Sequence, residues 1–115
     1  MSPTVVIADD DEDLRVTLEI WLRETGSTII PTADGREALE ALDENVDVLL
    51  VDRRMPVLSG DEVVKQLEET PFEGRVIAIS AHPPNDHLNE TDVDDYLVKP
   101  LYQDDLVDTI QRHAT

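Results

Sequence analysis

Short aliphatic runs alternate along the chain with stretches in which apolar residues recur every three or four positions. The runs predict strands at Thr4–Ala8, Ser27–Ile30, Val46–Val51, Arg75–Ser80 and Asp95–Val98. Four of them are rich in Val, Ile and Leu without strict polar alternation, which is typical of strands buried on both faces. The pattern therefore predicts a parallel sheet covered on both sides.

Helical stripes lie between most of these strands. Leu14, Leu18 and Leu22 recur at helical spacing after the first strand, and similar stripes follow the second, third and fifth. Asp34 and Ser59 each stand three residues before a Glu, which is the spacing of a helix-capping box. The alternation of strands and helices predicts an α/β fold with right-handed crossovers and helices on both faces of the sheet.

The segment 81–94, AHPPNDHLNETDVD, departs from this pattern. It contains Pro83 and Pro84 and few apolar residues. Because proline disrupts the interior of a helix, only about two helical turns could form there. We expect a short or distorted fourth helix between the fourth and fifth strands.

Length and composition favour a single domain spanning 1–115 with its own core. The chain has 115 residues, of which 40% are hydrophobic, and it has no cysteine, which excludes disulfides and zinc-thiolate sites. It has no apolar run of about eighteen residues, so no membrane span is expected. The N-terminus has no signal-like pattern, so the cytoplasm is the expected location.

The charge is strongly acidic. There are 27 acidic and 9 basic residues, and the formal net charge is −18. This charge argues against direct nucleic-acid binding by the domain, because neutralising phosphates requires a basic surface. The only lysines are Lys65 and Lys99. An acidic, lysine-poor surface suits a cytoplasm of high salt, where screening weakens self-repulsion, so we expect a halophilic source.

Polar residues stand where the predicted strands end. The first strand is followed by Asp9 and Asp10, the third by Asp52, and the fifth by Lys99, while the fourth ends at Ser80. In a parallel α/β sheet the carboxyl ends of the strands lie along one edge, where ligands bind. We therefore expect these side chains to lie close together.

The chemistry of this set favours phosphoryl transfer. Clustered carboxylates repel each other and need a cation, and hard oxygen ligands suit Mg²⁺, which also accepts phosphate oxygens. A lysine ammonium can bind a phosphoryl oxygen, a serine hydroxyl can donate to another, and an aspartate can be the nucleophile. A purely structural interpretation also exists, because Asp suits helix starts and Ser suits turns.

The chain resembles the receiver domains of two-component response regulators, the CheY-like family. The matching segments are VVIADDDEDLR (5–15), VDVLLVDRRMPVLSGDEVV (46–64), RVIAISA (75–81) and DDYLVKPL (94–101). They follow the order of the family from end to end. The Asp-Arg-Arg-Met-Pro form also resembles receivers of halophilic archaeal transcriptional regulators. The resemblance implies a flavodoxin-like, doubly wound parallel sheet of five strands in the order 2-1-3-4-5.

The resemblance assigns a nucleophile and a metal site. Asp52 matches the phosphoacceptor of the family. Asp9 and Asp10 match its acidic pair, which holds Mg²⁺ directly or through water together with the acceptor. Arg54, two residues after the acceptor, is expected to offer its backbone carbonyl to the metal.

The resemblance also assigns residues around the phosphoryl group. Lys99 matches the lysine that contacts it, and the following peptide bond to Pro100 is expected to be cis. Ser80 matches the hydroxyl residue that closes on the phosphoryl group, and Tyr96 matches the aromatic switch that follows it. Arg54 and His82 occupy the positions that tune the lifetime of the phosphoryl group.

The function implied is that of a signal receiver. A sensor histidine kinase would phosphorylate Asp52, and the modified domain would switch an output domain or a downstream protein. The activity would be limited to self-catalysed phosphorylation and slow autodephosphorylation, so the chain is not expected to be a conventional enzyme. A homodimer formed on phosphorylation is compatible with the family.

Other functions fit the sequence less well. A calcium-binding loop beginning at Asp9 would need Gly in place of Leu14 and Glu in place of Ile20. A dehalogenase-type phosphatase would need a second Asp in place of Arg54. The alternative that stays open is a pseudo-receiver, a binding module that signals without phosphorylation.

Overall fold

A computed structural model of the chain describes residues 3–83 and 93–114. The strands are β1 (Thr4–Ala8), β2 (Thr28–Thr32), β3 (Val48–Asp52), β4 (Arg75–Ser80) and β5 (Asp95–Val98). The helices are α1 (Glu12–Arg23), α2 (Gly35–Ala41), α3 (Gly60–Gln66) with a 3₁₀ turn at Leu67–Glu69, and α4 (Gln103–His113). None of these helices is long and apolar enough to cross a membrane.

The strands form one parallel sheet in the order β2-β1-β3-β4-β5. This arrangement confirms the predicted doubly wound fold. β3 lies at the centre, and all of its residues are buried. The helix expected between β4 and β5 falls largely within 84–92, outside the described residues.

Two apolar layers cover the two faces of the sheet. Because successive strand residues face opposite sides, Val6 and Ala8 pack in the layer that contains the side chains of α2 and α3. Val5 and Ile7 pack in the opposite layer, together with the apolar side chains of α1 and α4. Each fully buried aliphatic side chain stabilises the fold by roughly 1.5–3 kcal/mol. This burial sets the strand register, and the register places the carboxyl ends of the strands at one edge.

β2 differs from the prediction in position and in burial. It spans Thr28–Thr32 instead of Ser27–Ile30, and its burial is mixed: Ile29 and Thr32 are buried, Ile30 is partly buried, and Thr28 and Pro31 are exposed. The reason is that β2 lies at the edge of the sheet, where residues 3–83 and 93–114 place a strand on one side only. An edge also tolerates Pro31, which cannot donate to a ladder of hydrogen bonds. β3 begins at Val48, two residues later than predicted.

The predicted helix caps are present, one of them in altered form. Ser59 and Glu62 form a complete capping box at the start of α3. Asp34 accepts a hydrogen bond from the backbone N–H of Glu37 at the start of α2. The Glu37 carboxylate, however, accepts from the N–H of Ala33 and not from that of Asp34, so this second cap is not a full box.

An ion-paired group joins β5 to the end of α4. His113 Nε2 lies 3.0 Å from Asp95 Oδ2, and Arg112 Nη2 lies 3.6 Å from the same oxygen. Burial raises the pKa of Asp95. The pKa is nevertheless lowered overall, because Asp95 accepts hydrogen bonds from His113 and from the Tyr96 N–H and lies near the positive charges of His113 and Arg112. An acid whose pKa is lowered by folding stabilises the fold above its unfolded-state pKa and loses that contribution as the pH falls.

We expect Asp95→Asn to lower the free energy of unfolding by roughly 1 kcal/mol at pH 6. The difference from the wild type should shrink as the pH falls from about 4, the ordinary aspartate pKa of the unfolded chain, through the lower pKa of folded Asp95. Urea unfolding over this pH range measures it. Asp108→Asn is the matched control, since Asp108 pairs with Arg112 at 3.5 Å but is 73% exposed. A difference that persists unchanged to pH 3 would contradict the ion-pair explanation.

Candidate functional site

The carboxyl ends of β1 and β3 bring three carboxylates together. Asp9 follows β1 and is fully buried, Asp10 beside it is exposed, and Asp52 ends β3 with only 5% of its surface exposed. One oxygen of each lies within 4.8 Å of the others. The strand ends thus bring these side chains into one group, as the sequence predicts.

Asp9 is the most deeply buried member of this group. Its Oδ1 accepts a hydrogen bond from the Asp11 N–H at 2.9 Å, whereas its Oδ2 has no hydrogen-bond partner within the described parts of the chain. Burial, opposed in part by that bond, raises the pKa of Asp9 to about 6, and the negative charges of Asp52 and Asp10 also raise it. A buried carboxylate oxygen without a partner is unfavourable unless a cation or water reaches it.

The donor set fits a small divalent cation that prefers oxygen. Asp9 offers a buried oxygen without a partner, and Asp10 and Asp52 offer further carboxylate oxygens nearby. Mg²⁺ is commonly bound by one or two carboxylates while it keeps several waters, and the exposure of Asp10 leaves the group open to solvent. The chemistry of these residues is therefore suited to Mg²⁺.

Lys99 pairs with Asp52 across this edge of the sheet. Its Nζ lies 2.9 Å from Asp52 Oδ2. The Lys99 N–H donates to the carbonyl of Ser80 at 2.7 Å, and the peptide bond between Lys99 and Pro100 is cis, as expected. Partial burial lowers the pKa of Lys99, but the hydrogen bond and negative charge of Asp52 raise it overall. Lys99 is therefore an ammonium group at neutral pH.

The backbone that follows Asp52 is held by hydrogen bonds to Asp52 itself, to β4 and to the start of α3. The Arg54 N–H donates to Asp52 Oδ1 at 2.9 Å. The Arg53 N–H donates to the carbonyl of Ile79 in β4, and the Arg53 carbonyl accepts from the Gly60 N–H, both at 3.0 Å. Asp52 is therefore fixed between β4 and the start of α3.

Gly60 allows α3 to begin directly against the residue that ends β3. A Cβ atom at position 60 would clash with the Asp52 carbonyl oxygen and would lie 2.7 Å from the Arg53 Cα. Because both contacts are backbone atoms, the end of β3 would have to move. We expect Gly60→Ala to lower the free energy of unfolding by about 2 kcal/mol or more, as measured by urea unfolding.

Lys65→Ala is the control for this substitution. Lys65 lies in the same helix and is exposed, so its replacement should change the free energy of unfolding by less than about 0.5 kcal/mol. If Gly60→Ala is no more destabilising than Lys65→Ala, the close approach of α3 to β3 is wrong.

Ser80 and Tyr96 are joined through residue 82. Ser80 ends β4 and is almost fully buried, and its Oγ accepts from the His82 N–H at 3.1 Å. Tyr96 in β5 is half-buried, and its hydroxyl donates to the His82 carbonyl at 2.9 Å. The two residues predicted to act as a switch thus bind opposite ends of the same residue.

Residues 5–111 match the response regulator receiver domain family. The chain belongs to this family. Asp9, Asp52, Ser80 and Lys99 all stand at or just after the carboxyl ends of the parallel strands.

Relatives with similar sequences are transcriptional regulators. A putative transcriptional regulator of Haloferax volcanii is 38% identical over 107 residues, which cover 93% of this chain and 18% of that protein. The transcriptional regulatory protein PrrA of Mycobacterium tuberculosis is 39% identical over 110 residues, which cover 92% of this chain and 47% of that protein. The chain thus spans less than half the length of these curated relatives.

A solved structure supports the same assignment. The receiver domain of the Francisella response regulator 1452 superposes with a TM-score of 0.86 and 30% sequence identity. The match covers 98% of this chain and 97% of that one. The similarity therefore extends over the whole fold and is not confined to the strand ends.

Arg53 is the residue of the receiver domain site for which the sequence analysis found no role. Its side chain is 9% exposed, and its Nε and Nη2 donate to the two carboxylate oxygens of Asp61 at 2.8 Å each. Its Nη1 donates to the Tyr96 hydroxyl at 3.0 Å. The hydrogen bonds that Arg53 donates to Asp61 and Tyr96 outweigh burial and raise the pKa of Arg53, which is therefore always charged. The doubled Arg was the only signal in the sequence, and it does not identify the partners.

Arg54 and His82, the predicted lifetime-tuning residues, lie beside the site. Both are exposed. Their backbone groups make the contacts described above, since the Arg54 N–H binds Asp52 and the His82 peptide groups bind Ser80 and Tyr96. A role for their side chains in phosphoryl lifetime stays a prediction.

Proposed function

We propose that this receiver domain accepts a phosphoryl group on Asp52 from the phosphohistidine of a sensor histidine kinase, in a cytoplasmic signalling pathway. The observation that carries the proposal is the setting of Asp52. It is a nearly buried carboxylate at a strand end, with an ammonium group 2.9 Å away and two further carboxylates beside it.

The residues of the chain support an in-line displacement at phosphorus. One oxygen of Asp52 forms the new O–P bond while the P–N bond to the kinase histidine breaks, and the imidazole keeps the electron pair. The Lys99 ammonium group pairs with Asp52 in the structure. As the Asp52 carboxylate becomes an acyl phosphate and loses its charge, Lys99 would pair with a phosphoryl oxygen instead. Slow attack by water on the phosphorus of the acyl phosphate then returns Asp52 to its free form.

Asp9, Asp10, Asp52 and the backbone carbonyl of Arg54 are the groups that would hold Mg²⁺. When bound, Mg²⁺ supplies positive charge that offsets both the clustered carboxylates and the oxygens of the transferring group. The Asp9 oxygen without a partner supports this assignment. The pKa of Asp9 is raised mainly by burial, and the neighbouring carboxylates of Asp52 and Asp10 raise it further, so a cation bound here would favour the ionised form.

The switch is proposed to run through Ser80 and Tyr96. Ser80 Oγ would donate to the phosphoryl group, and this movement would act on Tyr96 because both residues bind His82. Phosphorylation would then bias the domain between two states that an output domain or a downstream protein distinguishes. By analogy with its relatives, the output would be transcriptional, and domain 1–115 would be its receiving part. A homodimer of the phosphorylated form is one way to deliver that output.

The experiment is exposure of the protein to acetyl phosphate and Mg²⁺ in high salt, followed by intact-mass measurement. The expected result is the gain of one phosphoryl group that requires the metal. A wild-type protein that gains no phosphoryl group would overturn the proposal and favour the pseudo-receiver alternative. That alternative has no support at present, because the acceptor, acidic pair, hydroxyl and lysine all meet at one edge of the sheet.

A further inference from the structure

We propose that Arg53, held by Asp61, is a positioning residue that keeps the Tyr96 hydroxyl on the backbone carbonyl of His82. Through this contact, it would couple the strand that carries Asp52 to β5. The inference rests on the proposed function for its signalling consequence. The positioning itself is a property of the resting protein.

Asp61 holds the guanidinium of Arg53 in place independently of the contact with Tyr96. Two parallel hydrogen bonds of 2.8 Å to both oxygens of Asp61 set its plane and its rotation. Asp61 lies in the first turn of α3 with 21% of its side chain exposed, and the Arg53 side chain is 9% exposed. Because this pair is largely buried, water competes little with it. The pair therefore holds the guanidinium in one orientation, and this orientation fixes the position of the third nitrogen, Nη1.

In this orientation Arg53 Nη1 contacts the Tyr96 hydroxyl. A phenol has one hydrogen to donate and lone pairs to accept. Tyr96 uses the hydrogen on the His82 carbonyl at 2.9 Å and accepts from Arg53 Nη1 at 3.0 Å. Hydrogen bonds from a charged donor are about twice as strong as neutral ones. Without Arg53, the hydroxyl would keep a single neutral bond and could exchange it for water.

Arg53 is also tied to the acceptor strand through its backbone. It follows Asp52 directly, and its peptide groups bind Ile79 in β4 and Gly60 at the start of α3. A displacement of the end of β3 therefore moves the guanidinium, and the guanidinium moves Tyr96. This route is separate from the one through Ser80, because it approaches Tyr96 from the side of α3.

The positioning can be measured in the resting protein by NMR. The chain has two tyrosines, so Tyr102→Phe leaves Tyr96 as the only one, and ¹³Cζ-labelled tyrosine gives one resonance that responds to hydroxyl hydrogen bonds. We expect Arg53→Met to move this resonance towards that of the urea-unfolded protein by about half of the difference or more. Arg53→Lys should give an intermediate shift, because lysine keeps the charge but cannot form the fork.

Two further variants separate positioning from folding. Arg53→Met removes the arginine that pairs with Asp61, so Arg53→Met combined with Asp61→Asn removes both charges of this pair and should show the same Tyr96 shift in a folded protein. Arg23→Met is the matched control. Arg23 lies in α1, is 56% exposed and is 3.9 Å from Glu19, so its loss should leave the Tyr96 resonance in place.

The coupling is measured by adding beryllofluoride, which mimics the phosphoryl group, with Mg²⁺. We expect Arg53→Met to reduce the beryllofluoride-induced shift of Tyr96 by about half or more, while the midpoint of beryllofluoride binding changes less than about threefold. If wild type binds neither beryllofluoride nor a phosphoryl group, the proposed function fails, and the resting resonance still tests Arg53.

Two results would overturn the inference while the proposed function stands. One is a Tyr96 resonance that is the same in wild type and in the folded double variant. The other is an Arg53→Lys protein that cannot be distinguished from wild type, because the fork to Asp61 would then have no role.

Discussion

Asp52→Asn is expected to reduce covalent phosphoryl incorporation from acetyl phosphate at least about 100-fold. The substitution keeps the size of the side chain, and the remaining carbonyl oxygen can still accept the Arg54 N–H. The amide, however, is not a nucleophile and cannot form the acyl phosphate. Intact-mass measurement of the two proteins under identical Mg²⁺ and salt concentrations gives the comparison.

The matched control is Asp34→Asn. Asp34 caps α2 by accepting the Glu37 N–H, and Asn is an equally good cap, so this change removes one carboxylate without disturbing the fold. It should take up phosphoryl groups as the wild type does. Equal uptake by Asp52→Asn and wild type would show that another carboxylate reacts, and the assignment of Asp52 would be wrong.

Asp9→Asn is expected to raise the free energy of unfolding of the metal-free protein by roughly 3 kcal/mol at pH 7. Folding raises the pKa of Asp9 to about 6, chiefly through burial, whereas the unfolded chain has the ordinary value near 4. An acid whose pKa is raised by folding destabilises the folded state once it is ionised. The penalty is absent below about pH 4, grows up to about pH 6 and is complete above that pH. Asn never ionises and avoids it.

Urea unfolding in the presence of a chelator, at pH 4 and at pH 7, tests this expectation. Asp11→Asn is the control, since Asp11 is exposed and caps α1 through its side chain, a role that Asn can also fill. Its effect should be within about 0.5 kcal/mol at both pH values. An advantage of Asp9→Asn that is equally large at pH 4 and pH 7 would contradict the explanation from a buried charge.

Mg²⁺ should then reverse the order of stability. A ligand that binds only the folded state stabilises it in proportion to the logarithm of its concentration over its dissociation constant. Wild type would gain this stabilisation, and Asp9→Asn would lose most of it because a metal ligand is missing. If Mg²⁺ stabilises both proteins equally, Asp9 is not a ligand.

Local patterns in the sequence were sufficient for most of the fold. Aliphatic runs predicted the bounds of β1, β4 and β5, and in β1 and β4 the reason is that burial on a sheet selects apolar residues. The bounds of β2 and β3 were wrong by one or two residues at each end. A strand begins and ends where its backbone hydrogen bonds to a neighbouring strand begin and end, and these depend on which strand lies beside it. Only the assembled sheet decides that neighbour.

For the site, the sequence determined which side chains meet, and the tertiary structure decided how they interact. Asp9, Asp52 and Lys99 follow strands of a parallel sheet, and the topology of such a sheet alone places strand ends at one edge. The burial of Asp9, which raises its pKa, depends on how the surrounding elements pack around the end of β1. The fork between Arg53 and Asp61 depends on the approach of α3 to β3. Hydrogen bonds between side chains act over a few ångströms in space, and separation along the chain does not specify that distance.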